Sequence, residues 1–277
     1  MRFNFKTIKF TVLMLLATFQ GLTLEASEDS GWAFFGDGGR AYKTMRADQR
    51  EAQFRMQFVN TQNQGKFWDI VFGGDLGLLS YTKDKDHYLS LTVRGLSSAR
   101  FKFQSESFNQ HNTDYIGGLA LGYRFGKMST EAHLYHQSSH LGDEVQELGR
   151  QRIDYSRETF RWMLDYTQNG YRIYGGASHI NRADPGELEG KFWGQLGLEK
   201  YFMVYSLPCF VVLDLQSREE HSWHINHNVQ LGFDMGDWRR VIKRQRFVLE
   251  YYNGYSHMGQ FYNTKEQNLS FGIGFDF

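Results

Sequence analysis

The sequence predicts an all-β protein, an antiparallel transmembrane β-barrel of about twelve strands. Three observations carry that prediction. The N-terminus has the layout of an export signal, the rest of the chain alternates apolar and polar residues with period two, and the links between alternating segments are by turns short and long. Composition agrees. The 277 residues are 17% aromatic, with 31 cationic side chains against 31 anionic ones, and the mean hydropathy is −0.54. Barrel strands average to such a value because only every second residue faces lipid. The apolar content is sufficient for a core, which excludes a disordered chain. The balanced charge lacks the basic face that a nucleic-acid partner needs, so none is expected. The single cysteine, Cys209, excludes an internal disulfide framework and a cysteine-based metal site.

From the N-terminus, Arg2, Lys6 and Lys9 form a cationic lead, F-T-V-L-M-L-L-A-T-F (10–19) is an apolar stretch, and L-E-A before Ser27 offers a cleavage site near Ala26. That stretch is too short to span a bilayer as a helix. The absence of a cysteine after it excludes lipoprotein processing. The expected organisation is a signal peptide over 1–26, an N-terminal periplasmic segment without a firm strand over 27–50, and the barrel over 51–277.

The barrel strands follow from parity. Ala52, Phe54, Met56 and Phe58 alternate with Gln53, Arg55 and Gln57. Leu89, Leu91 and Val93 alternate with Tyr88, Ser90 and Thr92. Tyr115, Leu119, Leu121, Tyr123 and Phe125 share a face, and Phe160, Trp162, Leu164 and Tyr166 alternate with Arg161, Met163 and Asp165. Trp223, Ile225, Val229, Leu231 and Phe233 alternate with polar residues, and Phe247, Leu249 and Tyr251 with Arg246 and Glu250. In the last strand Leu269, Phe271, Ile273, Phe275 and Phe277 fall on one face, with Ser270, Gly272, Gly274 and Asp276 on the other. The strands are placed at 51–59, 66–80, 87–104, 113–125, 128–140, 151–167, 171–181, 190–203, 208–217, 222–235, 242–252 and 265–277. An even count suits a bacterial barrel with both termini in the periplasm. The short links K-D-K-D, G-K, Q-N-G, V-Y-S-L and G-D-W-R-R then fall on the periplasmic side and the longer ones outside. Pro185 falls in a loop and Pro208 at a strand start, where a missing donor costs least. The terminal Phe277 looks like the signal read by the bacterial barrel assembly machinery, an expected partner during insertion.

About twelve strands enclose a narrow lumen. Its lining carries both signs of charge, in Arg55, Arg157, Arg161, Arg246, Glu131, Asp165, Asp214 and Glu250, beside His133 and Gln216. Cross-lumen ion pairs are expected. Arg161 and Arg246 should point inward with carboxylates such as Asp165 or Glu250 within reach.

One stretch breaks the alternation. In the fifth strand Met128, Thr130, Ala132 and Leu134 have the lipid-facing parity, and that parity continues into His136, Ser138 and His140. Polar groups facing lipid are unfavourable without a reason. The sequence here, Y-H-Q-S-S-H-L-G-D-E, is similar locally to outer-membrane phospholipase A, a family of twelve-stranded barrels with a catalytic His and Ser in an H-Q-S run on the lipid-facing wall. The resemblance implies Ser138 as nucleophile and His136 as its general base, since a serine needs a neighbouring imidazole to take its proton. That family orients its His with an Asn on the next strand and stabilises the oxyanion with calcium. Here the next strand has Asp154, Ser156 and Glu158 on the lipid-facing parity and no Asn. Ser156 is carried as the third candidate. Asp143 and Glu144 are the candidate calcium ligands, as hard oxygen donors.

A broader resemblance runs through R-A-D-Q-R-E-A-Q-F, Y-H-Q-S-S-H-L-G-D-E, L-D-L-Q-S-R-E-E-H-S-W and L-E-Y-Y-N-G-Y-S-H-M-G-Q-F-Y, in that order. These runs look like domain of unknown function 1207, an uncharacterised bacterial family. The resemblance implies an outer-membrane barrel of a Gram-negative bacterium and supplies no activity.

The topology gathers 138–144, 217–223 and 253–262 at the outer mouth. His140, Glu219, Glu220 and His221 are the candidate ligand-binding residues there, for a metal or a lipopolysaccharide head group. Loop closure is the favoured role for this cluster. The leading expectation is an integral outer-membrane barrel in contact with outer-membrane lipids. Its rival is a lipid acyl hydrolase, with a homodimer completing the acyl pocket, and a narrow solute channel is the third.

Overall fold

The computed structural model describes residues 31–35, 39–62, 64–103, 109–147, 149–186, 190–235 and 244–276. The stretch 1–26, expected to be a signal peptide, and the terminal Phe277 lie outside them.

Twelve antiparallel strands close on themselves: β2 (Phe54–Thr61), β3 (Gly65–Asp84), β4 (His87–Lys102), β5 (Gln110–Phe125), β6 (Met128–Leu141), β7 (Tyr155–Gln168), β8 (Tyr171–Asp184), β9 (Phe192–Val204), β10 (Leu207–Arg218), β11 (Ile225–Met235), β12 (Arg244–Tyr255) and β13 (Lys265–Asp276). Each pairs with its neighbours in sequence, and β13 pairs with β2 to seal the barrel. Closure leaves no unpaired edge in an apolar solvent. A short strand, β1 (Gly31–Phe34), lies along the part of β3 that β2 leaves uncovered, at Leu79–Thr82.

The predicted parity holds around the wall. Leu119, Leu121, Leu134, Phe160, Trp162, Leu231, Leu249, Leu269 and Phe271 are exposed, while Arg55, Glu131, Arg161, Asp165, Asp214, Arg246 and Glu250 are buried in the lumen. The links after β3, β5, β7 and β9 are two residues each. In the link after β7, Asn169 and Gly170 both take positive φ (51° and 73°), the conformation a two-residue hairpin needs. The predicted short link G-D-W-R-R falls in 236–243, outside the described residues. At the opposite end, the link after β6 carries a short helix, α1 (Asp143–Glu147). The links after β10 and β12 carry 3-10 turns, Glu219–His221 and Gly259–Phe261.

The segment 27–50 was expected to hold no firm strand, but Gly31–Phe34 pairs with β3 as β1, and further expectations change. Residues 40–53 had been placed partly in a periplasmic segment and partly in the first strand, but they run irregularly through the lumen. Ala52 is buried there, clustered with Val71, Leu96, Ile116, Tyr135 and Trp193, so β2 starts at Phe54. Trp223 likewise stands in the loop before β11, at φ 59°.

The reason is electrostatic. Arg40 meets Glu51 at 2.7 Å and Glu131 at 3.1 Å. Glu131 also takes two hydrogen bonds from Arg94, at 3.0 and 2.8 Å. Arg161 pairs with Asp48 at 3.0 Å and approaches Glu51 at 3.5 Å. Arg46 pairs with Asp234 at 3.0 Å. Arg161 thus finds its carboxylates on the inserted segment rather than at Asp165, which pairs with Arg172 at 2.8 Å. Glu250 accepts from Gln49 at 2.7 Å, and Arg246 donates to Gln53. The segment's irregular backbone is satisfied by wall side chains. Asn228 donates to the Ala47 carbonyl at 2.8 Å, Arg172 to that of Lys43 at 2.7 Å, and the Ala41 amide donates to Ser90 at 2.9 Å. A loop without such partners could not stay buried.

Candidate functional site

The wall residues take the positions their parity predicts. On β6, His136 and His140 are exposed on the outer face and Ser138 is half-buried there, while Tyr135, Gln137, Ser139 and Leu141 turn inward. Strand register arranges two rows across the sheet. Ser138 lies between Tyr115 on β5 and Ser156 on β7, and Ser156 in turn faces Asp184 on β8. His136 lies between Gly117 and Glu158, and Glu158 faces Arg182, with 4.0 Å between charged atoms. A Cβ added at Gly117 would meet no atom within 4 Å, so the space on that side of the His136 ring is open.

Ser138 and Ser156 are therefore brought together, and His136 stands two residues along the same face. No hydrogen bond joins His136 to Ser138 among the described residues. The residue across from His136, where an orienting acid would act, is Glu158 rather than Ser156. The sequence could not single it out, because a connection as long as 142–154 leaves the β6–β7 register open.

The mouth residues do not form one site. His140 faces outward, accepts from Arg152 at 3.3 Å and packs edge-on against Tyr115. Asp143 and Glu144 occupy the first turn of α1. Among the described residues no group of three or more His, Cys, Asp or Glu could hold a metal ion. Glu219 accepts the backbone amides of Lys191 and Phe192, at 2.9 and 3.2 Å. Glu220 receives both Arg157 terminal nitrogens, at 2.8 and 2.7 Å. Burial works against the Glu220 charge, but the Arg157 hydrogen bonds and the charge of Arg218 outweigh it and hold the carboxyl at about 2. His221 is buried and stacks on Tyr255 at 3.8 Å. Burial pushes its imidazole down to about 4, with Glu220 opposing and Arg218 assisting.

A second knot of contacts closes the mouth, and it joins the runs 135–144 and 249–262 that the sequence singled out. Asp114 on β5 accepts from Gln137 and from the Gly259 amide, both at 2.9 Å, and Ser139 donates to it. The Gln260 amide donates to Ser139 at 3.0 Å. The Gln260 side chain donates to the carbonyls of Ser139 and Ile153, at 2.9 and 2.7 Å. This draws the loop 256–264 over the barrel end.

The family model for DUF1207, described as a protein of unknown function, matches residues 35–277. No curated protein matches the chain. Among solved structures, the outer membrane phospholipase of Salmonella typhi, a dimer with bound calcium, superposes with a TM-score of 0.57 at 13% identity, covering 84% of this chain and 94% of that one. Outer membrane phospholipase A of Escherichia coli gives 0.54 at 11% identity, covering 86% and 95%. At these identities the likeness establishes the fold.

Proposed function

The chain belongs to the DUF1207 family, and from that premise we propose an integral protein of the Gram-negative outer membrane whose lumen is closed to solutes. Residues 1–26 act as its cleaved export signal, and the barrel assembly machinery inserts it. The apolar band on the exterior supports insertion in lipid. One observation supports closure: the inserted segment 40–53 is ion-paired across the lumen through Arg40, Asp48, Glu51, Glu131 and Arg161. A conducting pore needs a continuous water path, and this network occupies it, which counts against the narrow channel. The test is conductance in planar bilayers. The full chain should give no steady current, and deletion of 39–50 should open one. A porin-like conductance from the full chain would overturn the proposal.

The second reading is lipid acyl hydrolysis at the wall. Its support is the placement of His136, Ser138 and Ser156 together on the exterior of β6 and β7. In this reading the Ser138 hydroxyl attacks an ester carbonyl of a membrane lipid while His136 takes its proton. Collapse expels the alcohol, which receives that proton from His136, and water then releases the fatty acid from Ser138 by the same relay. Ser156 or Glu158 would orient the reacting groups. Asp143 and Glu144 are joined by no third His, Cys, Asp or Glu among the described residues, so any calcium there would draw its remaining oxygen ligands from carbonyls, hydroxyls or water, and no step runs through the metal. A second copy against this wall would complete the acyl pocket. Labelling by a fluorophosphonate probe, lost in Ser138→Ala, together with phospholipid hydrolysis lost equally in Ser138→Ala and His136→Ala, is the expected result. No labelling and no hydrolysis, with and without calcium and in dilute and concentrated protein, would sink this reading.

A further inference from the structure

The barrel end opposite the capped mouth holds a cavity of about 550 Å³. Among the described residues its lining includes Arg40, Lys43, Arg46, Arg172 and Arg246 against a single carboxylate, Asp75. The volume falls within the range of small-molecule sites, and the charge favours an anion.

Most of these guanidiniums already have carboxylate partners, and the placement of those partners matters. Glu51 and Glu131 hold Arg40, whose guanidinium also stands 3.7 Å from the lining Asp75, Asp234 holds Arg46, and Asp165 and Glu199 hold Arg172. Of these carboxylates only Asp75 lines the cavity among the described residues. The others fix the cations from behind and leave the cavity side positive, so little ordering cost remains for a ligand to bear. Lys43 is exposed, and its ammonium has no ion-pair partner among the described residues. Arg40, Lys43 and Arg46 come from the inserted segment, whereas Arg172 and Arg246 come from the wall.

We propose that this cavity binds a phosphate-bearing anion, which bridges the inserted segment to the wall. Phosphate matches the forked donors of arginine and the point charge of lysine. The complete site exists only while the segment is seated, so the ligand binds the seated form and stabilises it. The anion arrives either as a soluble phosphate compound or as a phospholipid head group of the adjoining leaflet.

The experiment uses the full chain, folded in zwitterionic detergent and checked by heat-modifiable migration. Inorganic pyrophosphate is titrated calorimetrically in one arm, and phosphatidylglycerol in mixed micelles is added in the other. Saturable binding in either arm, weakened by salt, is expected, and the arm that saturates identifies the source. Lys43→Glu, at an exposed position that leaves the fold intact, should weaken binding by about tenfold or more. Arg182→Glu, on the exterior at the far end, should leave it unchanged. Pyrophosphate should also raise the unfolding temperature of the parent and not of Lys43→Glu. Absence of saturable binding in both arms at millimolar concentration, or equal binding by the parent and Lys43→Glu, would overturn the proposal. Neither outcome bears on conductance or hydrolysis.

Discussion

The two faces of β6 treat polar residues in opposite ways. On the inner face Glu131 is buried among Arg40, Arg94 and Arg161, and Gln137 and Ser139 both donate to Asp114. On the outer face of the same strand, His136 is exposed and makes no hydrogen bond or ion pair among the described residues. Glu131 and Asp114 are structural, since both are desolvated and both are answered by donors, whereas the buried His133 on the same inner face has no hydrogen-bond partner at either ring nitrogen among the described residues. The outer polar residues contribute little to the fold, so a role for them must come from outside the chain. A charged residue in a barrel is therefore informative about function mainly where it lacks partners.

Removing an inner charge should have the largest effect. Glu131→Ala removes the carboxylate that accepts from both Arg40 and Arg94 and leaves them only Glu51 and Asp75 to share, and losing one partner of a buried network costs about 3–5 kcal/mol. Urea unfolding followed by heat-modifiable migration should show that loss, and an unchanged midpoint would mean that the lumen is wet and the pairs are screened. Next is the mouth. Gln260→Ala removes donors to the carbonyls of Ser139 and Ile153, an expected loss of about 1–3 kcal/mol for buried groups left unpaired. Limited proteolysis should then cut the loop 256–264 faster than in the parent.

Acid should loosen the same end. His221 has a folded-state pKa of about 4, below the ordinary imidazole value. The opened loop therefore binds the proton first, and the stabilisation present above about pH 6.5 falls away as pH drops toward 4. Glu220, held at about 2, acts in the same direction. Its contribution is present above the ordinary carboxylate range and is lost as pH falls toward 2. Hydrogen exchange of 219–224, corrected for intrinsic rates, should show declining protection between pH 6.5 and 4. Rising protection would contradict the assignment.

The smallest effect belongs to the outer face. Glu158 and Arg182 approach at 4.0 Å with side chains 49% and 80% exposed. Replacing either by Ala should change stability by less than about 1 kcal/mol. A larger loss would show that this face is covered in the membrane, by lipid or by a second copy, and would sharpen the contrast with the lumen.

The wall was legible because lipid and lumen demand opposite chemistry at alternate residues. Predicted strands at 128–140 and 171–181 became Met128–Leu141 and Tyr171–Asp184. The wall placement of His136 and Ser138 followed from the same parity. What lies beyond one strand's own pattern was harder to read. Residues 40–53 have no periodicity, and R-A-D-Q-R-E-A-Q reads equally well as a solvated leader. Its carboxylates were found only once Arg161, distant in sequence, stood opposite Asp48. The mouth residues behaved similarly, since His140, Glu219, Glu220 and His221 share an end of the barrel but take separate partners.

The sequence by itself determined the barrel: twelve alternating segments, their inward and outward faces, and the alternation of short and long links. That information is local, because each residue's environment is set by its parity and by two solvents. The tertiary structure alone decided that residues 40–53 fill the lumen, that Glu158 rather than Ser156 stands across from His136, and that Arg40, Lys43, Arg46, Arg172 and Arg246 are gathered at the cavity of the periplasmic end. Those facts depend on strand register and on charges brought together from opposite sides of a closed wall. Coulomb attraction between them becomes decisive only after closure has excluded water and lowered the local dielectric.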